Sequence, residues 1–249
     1  PPGSRVMKKL GREVWEWAKV IAGAIAAYLA FTTVAFANYA IPSESMVPHL
    51  EVGDRVVVSK FAYGYSRHSL PLNLGFMLPA SERRLFEHLP KRGDVIVFVH
   101  PFTGKTIIKR CVGLPGDSIE VREGALFING EEARQSEPSR LLRLSRPDRK
   151  REWAERREET LPAGYTHATH NLTDAGPLDN YGPYVVPRDH LFFMGDNRDN
   201  SSDSRTEGMG PVPMENVIGR AELVYYTNGC GNDPTVACPM PRWLKPLHH

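Results

Sequence analysis

The chain has 249 residues, 24% of them charged and 41% hydrophobic, with a formal net charge of +2. That length serves one sizeable domain or two modest ones beside an anchor, and so balanced a charge leaves no global basic field for nucleic acid. The 21 glycines and 21 prolines favour a turn-rich β body over a helical bundle. Pro1-Pro2-Gly3-Ser4 precedes the first methionine, Met7. It reads as an expression scar, and His248-His249 as a tag remnant.

The first predicted element is a membrane span at residues 20–41, where no charged side chain occurs from Val20 to Ile41. About 20 apolar residues cross a bilayer as a helix. A cleaved secretory signal would have a shorter apolar core, and a buried core helix is the other reading of such a run; the length and flanks favour an uncleaved span. Lys8, Lys9, Arg12 and Lys19 precede it, and no Lys or Arg follows before Asp54. The positive-inside rule then makes residues 1–19 a cytoplasmic segment and everything after residue 41 extracytoplasmic, in the periplasm or an equivalent space. The expected location is the cytoplasmic membrane, crossed once.

Strand-like runs dominate the rest: Arg55–Ser59, Asp94–His100, Thr106–Val112, Ser118–Val121, Ala125–Ile128, His190–Met194 and Val217–Tyr226. Turn pairs such as Gly53-Asp54, Gly93-Asp94 and Asn129-Gly130 separate them. The expected fold is mainly β, a coiled antiparallel sheet. Its catalytic domain comprises residues 42–130 and 190–249, and an inserted, more exposed subdomain occupies 131–189. The charged stretch Arg140–Glu159 in that insertion could touch anionic lipid, but its interleaved Glu and Arg fit a solvated face better. The aromatic stretch Phe61–Tyr65 and the tail Trp243-Leu244 could rest on a lipid surface or pack as ordinary core and rim. Of three cysteines, Cys230 and Cys238 sit in a loop where an oxidising compartment would let them pair, or they stand as free thiols. Cys111 reads as a small buried apolar residue.

Candidate chemistry lies in three places. Ser43-Glu44-Ser45 emerges within a few residues of the span, and a serine hydroxyl needs a base to become a nucleophile. Nine histidines are present, none in a convincing motif, and His167 with His170 makes only a weak metal pair. Lys109 is set in Thr106–Val112, where alternation puts it on the face of Ile107 and Cys111 with Arg110 pointing away. A desolvated lysine loses its preference for the charged form and can serve as a base, whereas a snorkelling surface lysine is the commoner case. The third place is Gly195–Arg205. Its density of Asp, Asn, Ser and Arg suits a hydrogen-bonded positioning loop better than a calcium loop, because two arginines oppose a cation.

These segments together resemble the type I signal peptidase family, serine-lysine peptidases of bacteria that are also found in organelles. The stretches carrying the resemblance are Ile41–Leu50, Gly53–Gly64, Arg92–Pro101, Ile108–Asp117 and Gly195–Arg205, in the family's order and spanning nearly all of the β body. The resemblance implies Ser45 as nucleophile, Lys109 as general base, and an oxyanion hole of the Ser43 hydroxyl with the Ser45 N–H. It further implies Ser201 as the group orienting the lysine, and supporting ion pairs Asp196–Arg110 and Asp203–Arg205. It calls for no cofactor and no metal. The partners it implies are secretory preproteins, cut after small residues, and the lipid bilayer. Ile41, Met46, Leu50 and Ile108, apolar and beside the chemistry, are the expected pocket walls.

The family pattern usually has Gly between its two serines, where this chain has Glu44. Either the backbone does not need positive φ there or the elbow is altered. A carboxylate turned inward would raise the Lys109 pKa; the expectation is that Glu44 faces solvent. A dedicated peptidase of the same fold with a narrow substrate, of the conjugation type, would share every catalytic residue. An inactive preprotein-binding protein would not need them intact. A self-cleaving repressor is disfavoured by the anchor and by the lack of a helix-turn-helix.

Overall fold

The computed structural model describes residues 2–69, 84–145, 150–162, 164–173, 175–227 and 243–247. Cys230 and Cys238 lie outside the described residues; Cys111 is free and buried, as a small apolar residue would be. One long helix, α1 (Pro2–Ala35), leads the chain. Its side chains from Trp15 through Ile21, Ile25 and Leu29 to Phe31 are exposed all round. The segment Gly11–Ala35 is long and apolar enough to cross a membrane, since 25 residues rise about 37 Å. The helix stops at Ala35, short of the expected limit of residue 41. Phe36–Ala40 forms β1 instead, and registers Phe36 against Ser59 and Ala40 against Arg55. With aromatic Phe36 and Tyr39 and alternate residues half-buried, those five residues gain more from a sheet edge than from a last helical turn.

The remaining strands in chain order are β2 (Asp54–Ser59), β3 (Tyr65–Ser66), β4 (Arg84–Leu85), β5 (Val95–Val99), β6 (Thr106–Gly113), β7 (Ser118–Arg122), β8 (Ala125–Ile128), β9 (Glu131–Glu132), β10 (Arg134–Gln135), β11 (Ser139–Leu144), β12 (Arg151–Thr160), β13 (Thr166–Asn171), β14 (Tyr181–Val185), β15 (His190–Met194), β16 (Val212–Pro213), β17 (Val217–Thr227) and β18 (Lys245–Pro246). The seven strands expected from the sequence are all present, within a residue or so at each end. The main sheet runs β1-β2-β17-β5-β6-β15-β16, with β18 also on β17, and every pairing in it is antiparallel. β17 is its spine: Val217–Arg220 pairs with β5, and the same strand from Arg220 onward pairs with β2.

Alternation along β5 shows how this sheet is covered on both faces. Val95 and Val97 join a core with Met46, Leu50, Val56 and Val224, while Ile96 and Phe98 join a second with Cys111, Leu191 and Phe193. Phe98 stacks on Phe193 with ring centroids 4.3 Å apart. Each such buried side chain contributes about 1.5–3 kcal/mol. A third core, from Val112 through Ile119, Leu126 and Phe192, lies under the smaller sheet β14-β7-β8-β9. The expected insertion is thus divided. β9 and β14 extend that smaller sheet, and only β10–β13 form a separate four-stranded sheet.

Two features of this frame position the site. Residues 41–53 form a closed excursion between β1 and β2: Ile41 N–H donates to Asp54 O at 2.8 Å and Gly53 N–H to Ile41 O at 2.9 Å. Met46 and Leu50 peg the excursion into the core. At the other side, the loop after β15 folds back over β6 and the excursion.

Candidate active site

The serine excursion, β6 and the loop after β15 converge on one point. Lys109 Nζ is hydrogen-bonded to Ser45 Oγ; the two residues are 64 apart in sequence and only 4% and 7% exposed. Burial drives the Lys109 pKa down to about 8, Asp203 and Asp196 push against that by favouring the ammonium, and Arg205 adds to the lowering. Near that pH a substantial share of the amine is neutral. A neutral amine accepts the Ser45 O–H, and the proton can follow. Arg110, the next residue along, turns elsewhere as alternation predicts: it grips Asp196 with Nε and Nη2 at 2.7 and 2.6 Å and donates to Gly93 O at 2.6 Å.

Ser43 Oγ lies 3.3 Å from Ser45 Oγ on the exposed side of the pair. No bond among the described residues uses the Ser45 N–H. A hydroxyl and a free N–H beside the reactive oxygen are the donor set that a developing oxyanion needs.

The loop Gly195–Arg205 clamps this arrangement. Asn197 N–H donates to Ser45 O at 3.1 Å and its side-chain amide to Glu44 O at 3.1 Å. Asp203 accepts from Gly195 N–H at 3.0 Å and from Arg205 Nε and Nη2 at 3.0 and 2.9 Å. Those donors hold its carboxyl below the usual range against the opposing effect of burial. Gly195 has no room for a side chain, because a Cβ there would sit 2.3 Å from Ser201 Oγ and 2.5 Å from Ser45 O. Ser201 is buried in this nest, close enough to Asp203 to favour its charged form. Its hydroxyl makes no bond to Lys109 and has no partner of ordinary geometry. The lysine's bond goes to Ser45, so the orienting contact expected of Ser201 is not made in this state.

The apolar residues expected to wall a pocket divide as well. Met46 and Leu50 are 0% exposed and Ile41 is 3% exposed, all within the core. They anchor the excursion from behind and present no surface to a ligand. Ile108, partly buried, packs on the same core. Glu44 departs from expectation too. It is buried, and Arg143 Nη2 forms an ion pair with its Oε2 at 2.5 Å. An apolar-flanked serine loop could not keep a carboxylate there without that cation. Glu44 is not among the residues with positive φ, so the backbone does not require glycine between the serines.

The insertion supplies groups that sequence reasoning placed in solvent. Glu159 in β12 is buried and pairs with Arg198 of the clamp loop. His167 stands 3.6 Å from Glu159 and 3.7 Å from Asp196, with neither ring nitrogen hydrogen-bonded. Burial, then Arg110 and Arg198, keep it neutral, well below its ordinary pKa. His170 is pushed to about 4, first by burial and then by Arg143 and Arg156, and it bridges to Asn197. Glu159 and His167 lie opposite each other in register, a juxtaposition that no local spacing reveals. Among the described residues no grouping of His, Cys, Asp and Glu suits a metal ion.

The antiparallel β body thus holds a serine hydroxyl against a desolvated amine with two hydrogen-bond donors beside it, an arrangement able to support acyl transfer through the serine. Residues 14–226 match the pattern of the family described as "Signal peptidase, peptidase S26". Signal peptidase I of Rickettsia bellii (strain OSU 85-389) is 34% identical over 197 residues, covering 76% of this chain and 65% of that protein. Signal peptidase I of Rickettsia akari (strain Hartford) is 32% identical over 239 residues, covering 90% and 82%. A crystal structure of a signal peptidase I from Enterococcus faecalis V583 is 28% identical, covering 53% of this chain and 97% of that one, with a TM-score of 0.33. The chain belongs to the signal peptidase family, peptidase S26. It spans about two thirds of the Rickettsia bellii protein's length.

Proposed function

We propose that this chain is a membrane-anchored serine endopeptidase that removes N-terminal signal peptides from exported preproteins, cutting after small residues. The single observation that carries the mechanism is the bond between Ser45 Oγ and a buried Lys109 whose pKa is lowered to about 8. Neutral Lys109 takes the Ser45 proton as Oγ attacks the scissile carbonyl. The oxyanion is held by the Ser45 N–H and the Ser43 hydroxyl. The intermediate collapses to an ester on Ser45, and the Lys109 ammonium protonates the departing amine of the mature protein. Lys109, neutral again, then deprotonates a water that hydrolyses the ester and frees the signal peptide's carboxylate.

The exposed apolar surface of Gly11–Ala35 supports an anchor. The basic residues before it and their absence after it support a cytoplasmic N-terminus and an extracytoplasmic β body. The proposed substrate, a preprotein held by its signal segment, then meets Ser45 close to the membrane surface.

The test is cleavage of a preprotein by the detergent-solubilised chain from pH 6 to 10, beside Ser45→Ala and Lys109→Ala. The expected result is cleavage after a small residue, abolished in both variants, with an acid limb near pH 8 well below free lysine's 10.4. Wild-type cleavage that persists in Lys109→Ala would overturn the assignment of the base. Retained preprotein binding without any cleavage would point to the inactive, binding protein.

A further inference from the structure

Glu44, between Ser43 and Ser45, has a carboxylate that faces two segments at once, the end of β11 and the clamp loop. Its Oε2 is ion-paired with Arg143 Nη2 of β11 at 2.5 Å and accepts from Ser145 Oγ at 3.2 Å and from Asn200 Nδ2 of the clamp loop at 3.4 Å. Its own carbonyl accepts from Asn197. Arg143 is shared: Nε lies 3.2 Å from Glu152, its register partner across β11 and β12. The Glu44 and Arg143 side chains are 5% and 8% exposed.

Burying such a pair is expensive, and exchange for apolar groups is often neutral or better for stability. What the pair does provide is a fixed geometry, because the planar guanidinium is held between two carboxylates, Nη2 on Glu44 and Nε on Glu152. Here the fixed object is the peptide unit carrying the proposed nucleophile and its N–H donor. A glycine between the serines, as in the usual family pattern, could make no such link.

We propose that Arg143 is a positioning residue for Ser45, acting through Glu44, so that the β11–β12 hairpin of the insertion holds the serine excursion in register with Lys109 and the clamp loop. This rests on the reading of Ser45 and Lys109 given above and adds to it a residue outside the dyad. Arg143 touches neither substrate nor the reacting atoms.

The experiment uses the full detergent-solubilised chain, with folding checked by circular dichroism at the assay temperature. Arg143→Gln is expected to lower kcat by roughly ten- to a hundredfold, the order of effect of a small misplacement at a reacting centre, with KM little changed. Arg143→Lys should recover part of the loss. Arg140→Gln, which removes an exposed arginine from the same strand, should leave kcat at the wild-type level. In a Glu44→Gly background, Arg143→Gln should cost almost nothing further, because the link is already gone. A kcat unchanged in Arg143→Gln, or a loss equally large in the Glu44→Gly background, overturns the proposal. Amide exchange in residues 41–50 reads the same latch without cleavage, and Arg143→Gln should speed it while Arg140→Gln does not. If the wild type cleaves nothing, the functional reading falls, and the exchange result still decides the latch: unchanged exchange in Arg143→Gln sinks it.

Discussion

Replacing Lys109 by methionine keeps an unbranched apolar stem, one atom shorter, and removes the amine, and its effect on stability follows from the burial. In the unfolded chain the lysine titrates at its ordinary value; in the folded protein it titrates at about 8, mainly because the ammonium is desolvated. Below about pH 8 both states bind the proton and the folded state carries the full penalty. Between about 8 and 10.5 the unfolded state binds more protons, so wild-type stability rises with pH. The penalty is about 3 kcal/mol at pH 7, about 2 at pH 9 and somewhat under 1 at pH 10. Methionine escapes it but loses the hydrogen bond to Ser45, a contribution of about 1 kcal/mol. Lys109→Met should therefore be inactive, yet more stable than the wild type by about 2 kcal/mol at pH 7, with the advantage vanishing near pH 10. Urea unfolding of the detergent-solubilised proteins at pH 7, 8, 9 and 10 measures the difference, in which all other titrations cancel. A variant less stable than wild type at pH 7, or a difference that stays flat from pH 8 to 10, would refute the desolvation argument.

Two further outcomes follow from the geometry. Ser43→Ala removes an exposed hydroxyl 3.3 Å from Ser45 Oγ; it should lower kcat by about 10²–10³-fold, as loss of one oxyanion donor does, while the unfolding midpoint stays unchanged. An unchanged kcat would remove Ser43 from the oxyanion hole. Gly195→Ala drives a methyl into Ser201 Oγ and the Ser45 carbonyl, and because the carbonyl is backbone the excursion must shift. Activity should fall by more than about tenfold at saturating substrate, measured beside a circular-dichroism check of folding.

The main sheet was legible because its strands are apolar runs bounded by turn pairs, and β5 and β6 are such runs almost residue for residue. The insertion was not. In β12, Arg151–Thr160, charged residues occupy both faces, so alternation carries no hydrophobic signal. Burial in β11 and β12 comes from ion pairs with distant groups, Glu159 with Arg198 and Arg143 with Glu44. The same blindness explains Glu44. A carboxylate beside a candidate nucleophile reads as solvent-facing unless a cation is known to meet it, and that cation is about a hundred residues away in a stretch that looks like a solvated charged surface. Met46 and Leu50 were misread in the opposite sense. Proximity in sequence to the serine suggested pocket walls, but the excursion is short and strand-bound at both ends. Its apolar side chains must then turn into the core for its polar ones to face the site.

The supporting ion pairs share one electrostatic purpose. Asp196 and Asp203 both act to raise the Lys109 pKa, and two bare carboxylates near a buried amine would restore its charge and leave little neutral amine to accept a proton. Each is matched by an arginine held at hydrogen-bonding distance, Arg110 for Asp196 and Arg205 for Asp203, and Arg205 itself lowers the lysine's pKa. Glu44 brings a third carboxylate within one residue of Ser45, and Arg143 meets it in the same way. The site thus holds its carboxylates as neutral pairs, which supply rigid hydrogen-bonded geometry without a net negative field. The distinction between geometry and field is measurable in the Arg143 variants. If Arg143→Gln releases an unbalanced Glu44 charge toward the amine, the acid limb of the pH–rate profile moves up as well as kcat down. If the latch is purely geometric, kcat falls with the limb in place, because a displaced serine is deprotonated less often by a lysine whose basicity has not changed.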